Sequence, residues 1–246
     1  MIVLHYPKVN YKIVASRTEK KQVEDCILKE FIFISDFDGT MSERDFYHIV
    51  MDKYLGQKGK ELYASWKRDE MLDVEFLTIV FKAMNRSEQE IDEDILSISI
   101  DNYLPTFIEN IKLAGGDFLI LSAGTKYYIE RLLAIKEMYG IEVISNDGKY
   151  ENKGITLIPP DKENPFYSER YGIDKAKVVQ SLKGKYKKVY FAGDSGPDVN
   201  AALLADVAFA KGQLIPLLEA RGAKHVPFTY FSQIEDYLQK NGFIKG

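Results

Sequence analysis

Two aspartates one residue apart, Asp36 and Asp38, close the apolar run of FIFISDFDGT (31–40), with Gly39 and Thr40 behind them. Carboxylates this close repel, so they need a cation, or one of them must hold a proton. A second acidic pair, Asp194 and Asp198, follows another apolar run in KKVYFAGDSGPD, among Gly193, Gly196 and Pro197. Three of these four groups within reach of each other would make an oxygen ligand set for a hard cation such as Mg2+. A third run, DFLILSAGT (117–125), ends in Ser122, Ala123 and Gly124. A hydroxyl and the free N–H groups of a helix start suit a phosphate there. An ammonium is also wanted beside so many acids. Lys175, nineteen residues before Asp194 and at the start of an expected helix, is the best placed; Lys177 and Lys153 are rivals.

The elements that must position these groups can be read from periodicity. Near-continuous apolar runs alternate with helical patterns, which implies α/β architecture: a Rossmann-like parallel sheet with helices on both faces. In such sheets ligands bind beyond the carboxyl ends of the strands, where SDFDGT, LSAGT and AGDSGPD fall. Between residues 42 and 112, DFYHIVMDKYL, KELYASWKRD, VEFLTIVFKAM and EQEIDEDILSISI carry apolar residues three and four apart, the pattern of a small helical bundle inserted after the first strand. TKYYIERLLAIKEMYG is expected to be a helix ending at Gly140, and EVISNDGKYENKGITLI (142–158) a hairpin turning at Asp147–Gly148. DKAKVVQSLKG should be a helix capped by Asp174. The expected layout is a core of residues 31–41 and 113–246, a helical cap of 42–112, and an extension of 1–30, with short strands at IVL and YKIVA and a charged helix at RTEKKQVEDCILKE.

Composition narrows the function classes. The 246 residues are 46% hydrophobic and 28% charged, an ordinary globular balance. A net charge of −4 with scattered Lys and Arg gives no reason to expect nucleic acid or a membrane surface as partner. Cys26 is the single cysteine, which excludes an intrachain disulfide and fits a reducing, cytoplasmic setting. The start, MIVLHYPKVNYK, has no signal-peptide pattern, and no apolar run is long enough for a membrane span. His5, His48 and His225 show no ligand spacing. Oligomeric state leaves no mark in the pattern.

DFDGT, LSAGT, Lys175 and GDSGPD, in that order, resemble the four motifs of the haloacid dehalogenase-type hydrolase superfamily, over nearly all of residues 31–240. The insert resembles the helical cap of the phosphoserine phosphatase-like branch. ISNDGKY…GITLIPP is similar to the methionine-salvage phosphatases within it, which act on a methylthio-diketopentane or hydroxyketo-pentenyl phosphate. The resemblance implies a Mg2+-dependent phosphomonoesterase for a small phosphorylated metabolite. It makes Asp36 the nucleophile that forms an aspartyl-phosphate, and Asp38 the acid and base for leaving group and water. Mg2+ would be held by Asp36, the backbone carbonyl of Asp38, and Asp194, with Asp198 binding through water or orienting Lys175. Gly39, Ser122, Ala123, Gly124 and Lys175 would bind the phosphoryl group.

Asp45, nine residues after Asp36, sits where amino-acid-binding relatives carry an acid, although a helix-start acid reads the same way. Phe46, Tyr47, Trp66, Arg68 and Arg86 are candidates for lining a substrate pocket in the cap. A phosphotransferase on the same scaffold, or a non-catalytic binding protein on a retired hydrolase fold, are the alternative readings. The complete set of motif residues speaks against the second.

Overall fold

The computed structural model describes residues 28–244; Cys26 and most of the expected N-terminal extension lie outside them. The first strand, β1 (Lys29–Ser35), begins two residues ahead of the apolar run and is followed by helices α1 (Phe46–Val50), α2 (Gly56–Lys67), α3 (Asp73–Lys82), α4 (Glu88–Leu96) and α5 (Leu104–Leu113). A π-helical turn, Met51–Leu55, joins α1 to α2. The chain continues through β2 (Asp117–Thr125), α6 (Lys126–Ile135), the hairpin β3 (Glu142–Glu151) and β4 (Gly154–Ile158), and the two-residue strands β5 (Tyr167–Ser168) and β6 (Gly172–Ile173). It ends in α7 (Lys175–Lys183), β7 (Tyr186–Gly193), α8 (Val199–Leu204), β8 (Val207–Ala210), α9 (Leu214–Glu219), β9 (Val226–Pro227) and α10 (Phe231–Lys240).

Seven strands form one sheet in the order β4-β3-β2-β1-β7-β8-β9, parallel except for the β3–β4 hairpin. Strand sequence explains why it is covered twice. In β1, Phe31 and Phe33 enter one hydrophobic cluster, while Ile32 and Ile34 enter a second on the opposite face. Phe118 and Ile120 against Leu119 and Leu121 repeat the division in β2, as do Tyr190 and Ala192 against Val189 and Phe191 in β7. Helices α5, α6 and α10 supply the first cluster and α7, α8 and α9 the second. Phe33 sits at the centre, with Phe107 edge-on at 4.9 Å and Phe118 stacked at 5.8 Å. Burying such a ring contributes about 1.5–3 kcal/mol.

β1 lies between β2 and β7, and the chain builds the sheet outward from it in both directions. That reversal leaves a crevice beyond the ends of β1 and β7. Above it stand α1 to α4, joined to the sheet's cluster through Phe46, whose ring centroid is 4.9 Å from that of Tyr128. α5 packs instead on β2 and α10.

Two sequence expectations are corrected. The hairpin turns at Asn152–Lys153, both at positive φ, whereas Asp147 and Gly148 are paired within β3. Gly148 serves packing: a Cβ there would stand 2.2 Å from Thr125 Oγ1. The helix expected to run to Gly140 ends at Ile135, because Glu137 turns to positive φ first.

Candidate active site

The ladder carries Asp36 one step past β1: its N–H donates to the Ala192 carbonyl of β7 at 2.9 Å. The chain then coils, with the N–H groups of Thr40, Met41 and Ser42 gathered on the Phe37 carbonyl. Gly39 makes this turn at φ 74°, and a Cβ there would meet Asp194 Oδ2 at 2.5 Å. Its N–H donates to Ser42 Oγ at 3.1 Å. Thr40 Oγ1 lies 3.3 Å from both Asp36 Oδ2 and Asp194 Oδ1, tying the ends of β1 and β7 together.

Carboxylate oxygens of Asp36, Asp194 and Asp198 lie within 4.8 Å of one another. Lys175 is buried against them, with Nζ 2.6 Å from Asp36 Oδ1 and 2.6 Å from Asp198 Oδ1. A lysine at a helix N-terminus opposes the helix dipole, so these two carboxylates hold it there. Asp198 also staples its own loop, as Oδ2 accepts the N–H groups of Asp194 (3.0 Å) and Ser195 (3.1 Å). Asp198 thus holds its own loop and Lys175 at the same time. Lys177 instead donates to the Tyr167 carbonyl in solvent, and Lys153 sits in the hairpin turn.

The side chain of Asp38 faces away from this cluster. Its Oδ1 accepts the Phe46 N–H at 3.1 Å, and its Oδ2 accepts from the Tyr128 hydroxyl, with Ser122 Oγ 3.4 Å away. Ser122 Oγ in turn accepts the Gly124 N–H at 2.9 Å. Thr125 caps α6 by accepting the Tyr127 N–H.

Burial dominates the electrostatics. It pushes the Asp36 carboxyl up to about 7 against the pull of Lys175. Burial and then Asp45 push Asp38 up to about 7. Burial, then Asp36 and Asp198, push Asp194 up to about 9. Burial works against the charge of Lys175 too, but Asp198 and Asp36 outweigh it and raise its pKa. Upward shifts on both partners pull the Lys175–Asp36 pair in opposite directions. With two contacts at 2.6 Å the lysine keeps its proton and Asp36 is ionised beside it. The push on the acids then measures their demand for further positive charge. Asp36, Asp38, Asp45 and Asp194 line the two adjoining cavities together with Lys175 and Lys211, while Arg170 and Arg44, which also line them, are paired with Asp69, Asp73 and Asp52, and Lys67 lies at the helical wall. An all-oxygen, negative, buried donor set of this kind fits a hard divalent cation such as Mg2+.

The cavity over these groups has a volume of about 450 Å³. Asp36, Asp38, Ser122, Ala123, Gly124, Lys175 and Asp194 line its floor, and Tyr47, Tyr63, Trp66 and Leu77 its helical wall. Asp45 lines it as well, at the start of α1. Three cap candidates are not brought to the cavity. Arg68 is exposed and paired with Glu70 at 2.6 Å. Arg86 stacks on Tyr54. The Phe46 ring is buried between Phe81 and Tyr128, and this residue reaches the site through its N–H alone.

Sequence reasoning missed Tyr128, Arg170 and Lys211. Tyr128 lies in the first turn of α6, where its ring reads as an ordinary core aromatic. Arg170 bridges Asp69 (2.6 Å) and Asp73 (2.7 Å) from the loop between β5 and β6, and Lys211 donates to the Thr40 carbonyl at 2.9 Å. Neither carries a local signal.

No family model matches the chain. It is 25% identical over 208 residues to a 2-hydroxy-3-keto-5-methylthiopentenyl-1-phosphate phosphatase of Exiguobacterium sp., covering 84% of this chain and 96% of that protein. A Bacillus velezensis protein of the same name is 25% identical over 217 residues, covering 87% and 92%. Among solved structures, a phospho-aspartyl intermediate analogue of phosphoserine phosphatase superposes with a TM-score of 0.63 at 13% identity, covering 86% of this chain and 99% of that one. The ordered motifs resemble those of haloacid dehalogenase-type hydrolases, and the named relatives and fold neighbours of this chain are phosphatases. Its curated relatives are the methylthiopentenyl phosphate phosphatases just described, and it shares the fold of phosphoserine phosphatase.

Proposed function

We propose that the protein is a Mg2+-dependent phosphomonoesterase that hydrolyses a small phosphorylated metabolite through an aspartyl-phosphate on Asp36. The observation that carries this reading is the division of labour at the end of β1. Asp36 sits beside Lys175 and two further carboxylates, while Asp38, two residues on, is held apart by Tyr128 and Phe46.

Mg2+ would be held by Asp36, Asp194 and the Asp38 carbonyl, with Asp198 behind them, and would neutralise charge on the phosphoryl oxygens. Lys175 keeps Asp36 ionised and offers its ammonium to the same group. Ser122 presents a hydroxyl at the end of the neighbouring strand β2, beside Ala123 and Gly124. Asp36 attacks phosphorus in line, and Asp38, protonated because burial and Asp45 favour the neutral form, gives its proton to the leaving oxygen. Asp38 then takes a proton from the water that opens the aspartyl-phosphate. The closed wall of Tyr47, Tyr63 and Trp66 favours a small ester over a macromolecule. The named relatives make 2-hydroxy-3-keto-5-methylthiopentenyl-1-phosphate the first ester to test, with phosphoserine beside it.

Phosphate release from p-nitrophenyl phosphate and from a metabolite panel, with Mg2+ or with EDTA, tests the reading. Metal-dependent release that drops on the order of 10⁴-fold in Asp36→Asn supports it. Absence of metal-dependent release, or an Asp36→Asn variant as active as the parent, overturns it.

A further inference from the structure

Asp38 must move a proton in opposite directions in the two halves of the proposed reaction. The neighbours of its two oxygens therefore decide which of them is free to do so. A carboxylate oxygen offers two lone-pair sites. On Oδ2 both are taken, by the hydroxyls of Tyr128 and, at 3.4 Å, Ser122. On Oδ1 the Phe46 N–H takes one, at 3.1 Å, and one remains. The Tyr128 ring cannot swing away: it is 1% exposed and packed against Phe37, Phe46 and Phe81 at centroid distances of 6.0, 4.9 and 6.0 Å. Glycine at 124 makes room for the contact, since a Cβ there would stand 1.8 Å from the Tyr128 oxygen and 2.9 Å from Asp38 Oδ2.

We propose that Tyr128 is a positioning residue whose hydroxyl fills Oδ2 and fixes the carboxyl plane of Asp38, reserving the open site on Oδ1 for the travelling proton. This rests on the phosphomonoesterase reading. In the first half-reaction a bond forms from an Asp36 oxygen to phosphorus, the P–O bond to the alcohol breaks, and the proton passes from Asp38 Oδ1 to the departing oxygen. In the second, water attacks phosphorus, the Asp36–phosphorus bond breaks, phosphate leaves, and the proton of the water returns to Oδ1. Tyr128 is unchanged throughout.

Leaving-group dependence tests this in the full chain with Mg2+. An aliphatic alkoxide needs a proton to leave, whereas p-nitrophenolate does not. Because kcat/KM ends at the first irreversible step, it reads phosphoryl transfer to Asp36. In Tyr128→Phe, which keeps the buried ring, the ratio of kcat/KM for a phosphorylated aliphatic alcohol to that for p-nitrophenyl phosphate should fall about 10- to 100-fold. Gly124→Ala, whose Cβ cannot share the space of the Tyr128 oxygen and so forces the strand end and the hydroxyl apart with the tyrosine still present, should lower the same ratio. In an Asp38→Asn background, Tyr128→Phe should move it no further. Equal losses on both esters in both variants, or an undiminished effect without Asp38, would overturn the assignment. If the parent protein cleaves neither ester, the phosphatase reading itself fails and this inference goes with it. If the parent cleaves both and the ratio stays put, only the role of Tyr128 is lost.

Discussion

The carboxyl end of the sheet and the helical segment above it use polar residues differently. At the sheet end each acid is held by a group far away in sequence: Lys175 joins Asp36 to Asp198, and Thr40 joins Asp36 to Asp194. In the helical segment several charges pair with near neighbours in solvent, as in Arg68–Glu70, Arg44–Asp52 and Ser87–Glu90. The rings that segment turns toward the cavity, Tyr47, Tyr63, Trp66 and Phe81, are packed among themselves and their neighbours, with Trp66 stacked on Phe76 at 4.4 Å. The difference separates two tasks. Chemistry needs fixed charges, which only convergent strand ends can hold, and selectivity needs shape, which packed rings supply.

Lys175→Met should cut deepest. It leaves Asp36 and Asp198 buried without their partner, a loss of about 3–5 kcal/mol by denaturant unfolding. A variant that loses activity with unchanged stability would mean that the sheet-end network is not structural at all.

Next comes the metal. The folded value of Asp194, about 9, stands above that of an unfolded aspartate, so without a cation the folded state retains a proton that the unfolded chain releases. Its stabilising contribution is complete below about pH 4 and is lost as pH rises through the folded value. In EDTA the melting temperature should therefore fall between about pH 5 and pH 9. Mg2+ at 100 times its dissociation constant should add about 2.7 kcal/mol and flatten that slope. A pH-independent melt in EDTA would remove the electrostatic demand inferred for the site.

The helical segment should respond more weakly. Arg170→Ala strips the buried Asp73 of its ion pair and should cost about 1–2 kcal/mol, with a rise in KM larger than the fall in kcat. A larger effect on kcat would place Arg170 with the chemical apparatus instead. Arg68→Ala, exposed and outside the cavity, should stay within about 0.5 kcal/mol and leave kcat/KM unchanged.

Legibility in the sequence followed the same division. Apolar runs closed by acid or hydroxyl marked the ends of β1, β2 and β7, because a strand buried on both faces has almost no other composition open to it. The hairpin was legible while its turn was not. Asn152–Lys153 contains no glycine, and Gly148, which does look like a turn, answers to the bulk of Thr125. Gly39 read as a phosphate donor, and the sequence did not show that a side chain there would also collide with Asp194. Tyr128 could not be told from an ordinary core ring, since all of it but one oxygen is one. In the cap, helical periodicity located the helices yet gave no means of choosing Trp66 over Arg68 as a wall residue, because that depends on how one helix rolls against another.

The outermost strand, β9, contributes just Val226 and Pro227, and proline has no N–H to offer. An incoming strand would find too few backbone donors along that margin to extend the sheet. Growth by edge-to-edge stacking, the usual hazard of a twisted open sheet, is thereby discouraged on this side by a single imino acid.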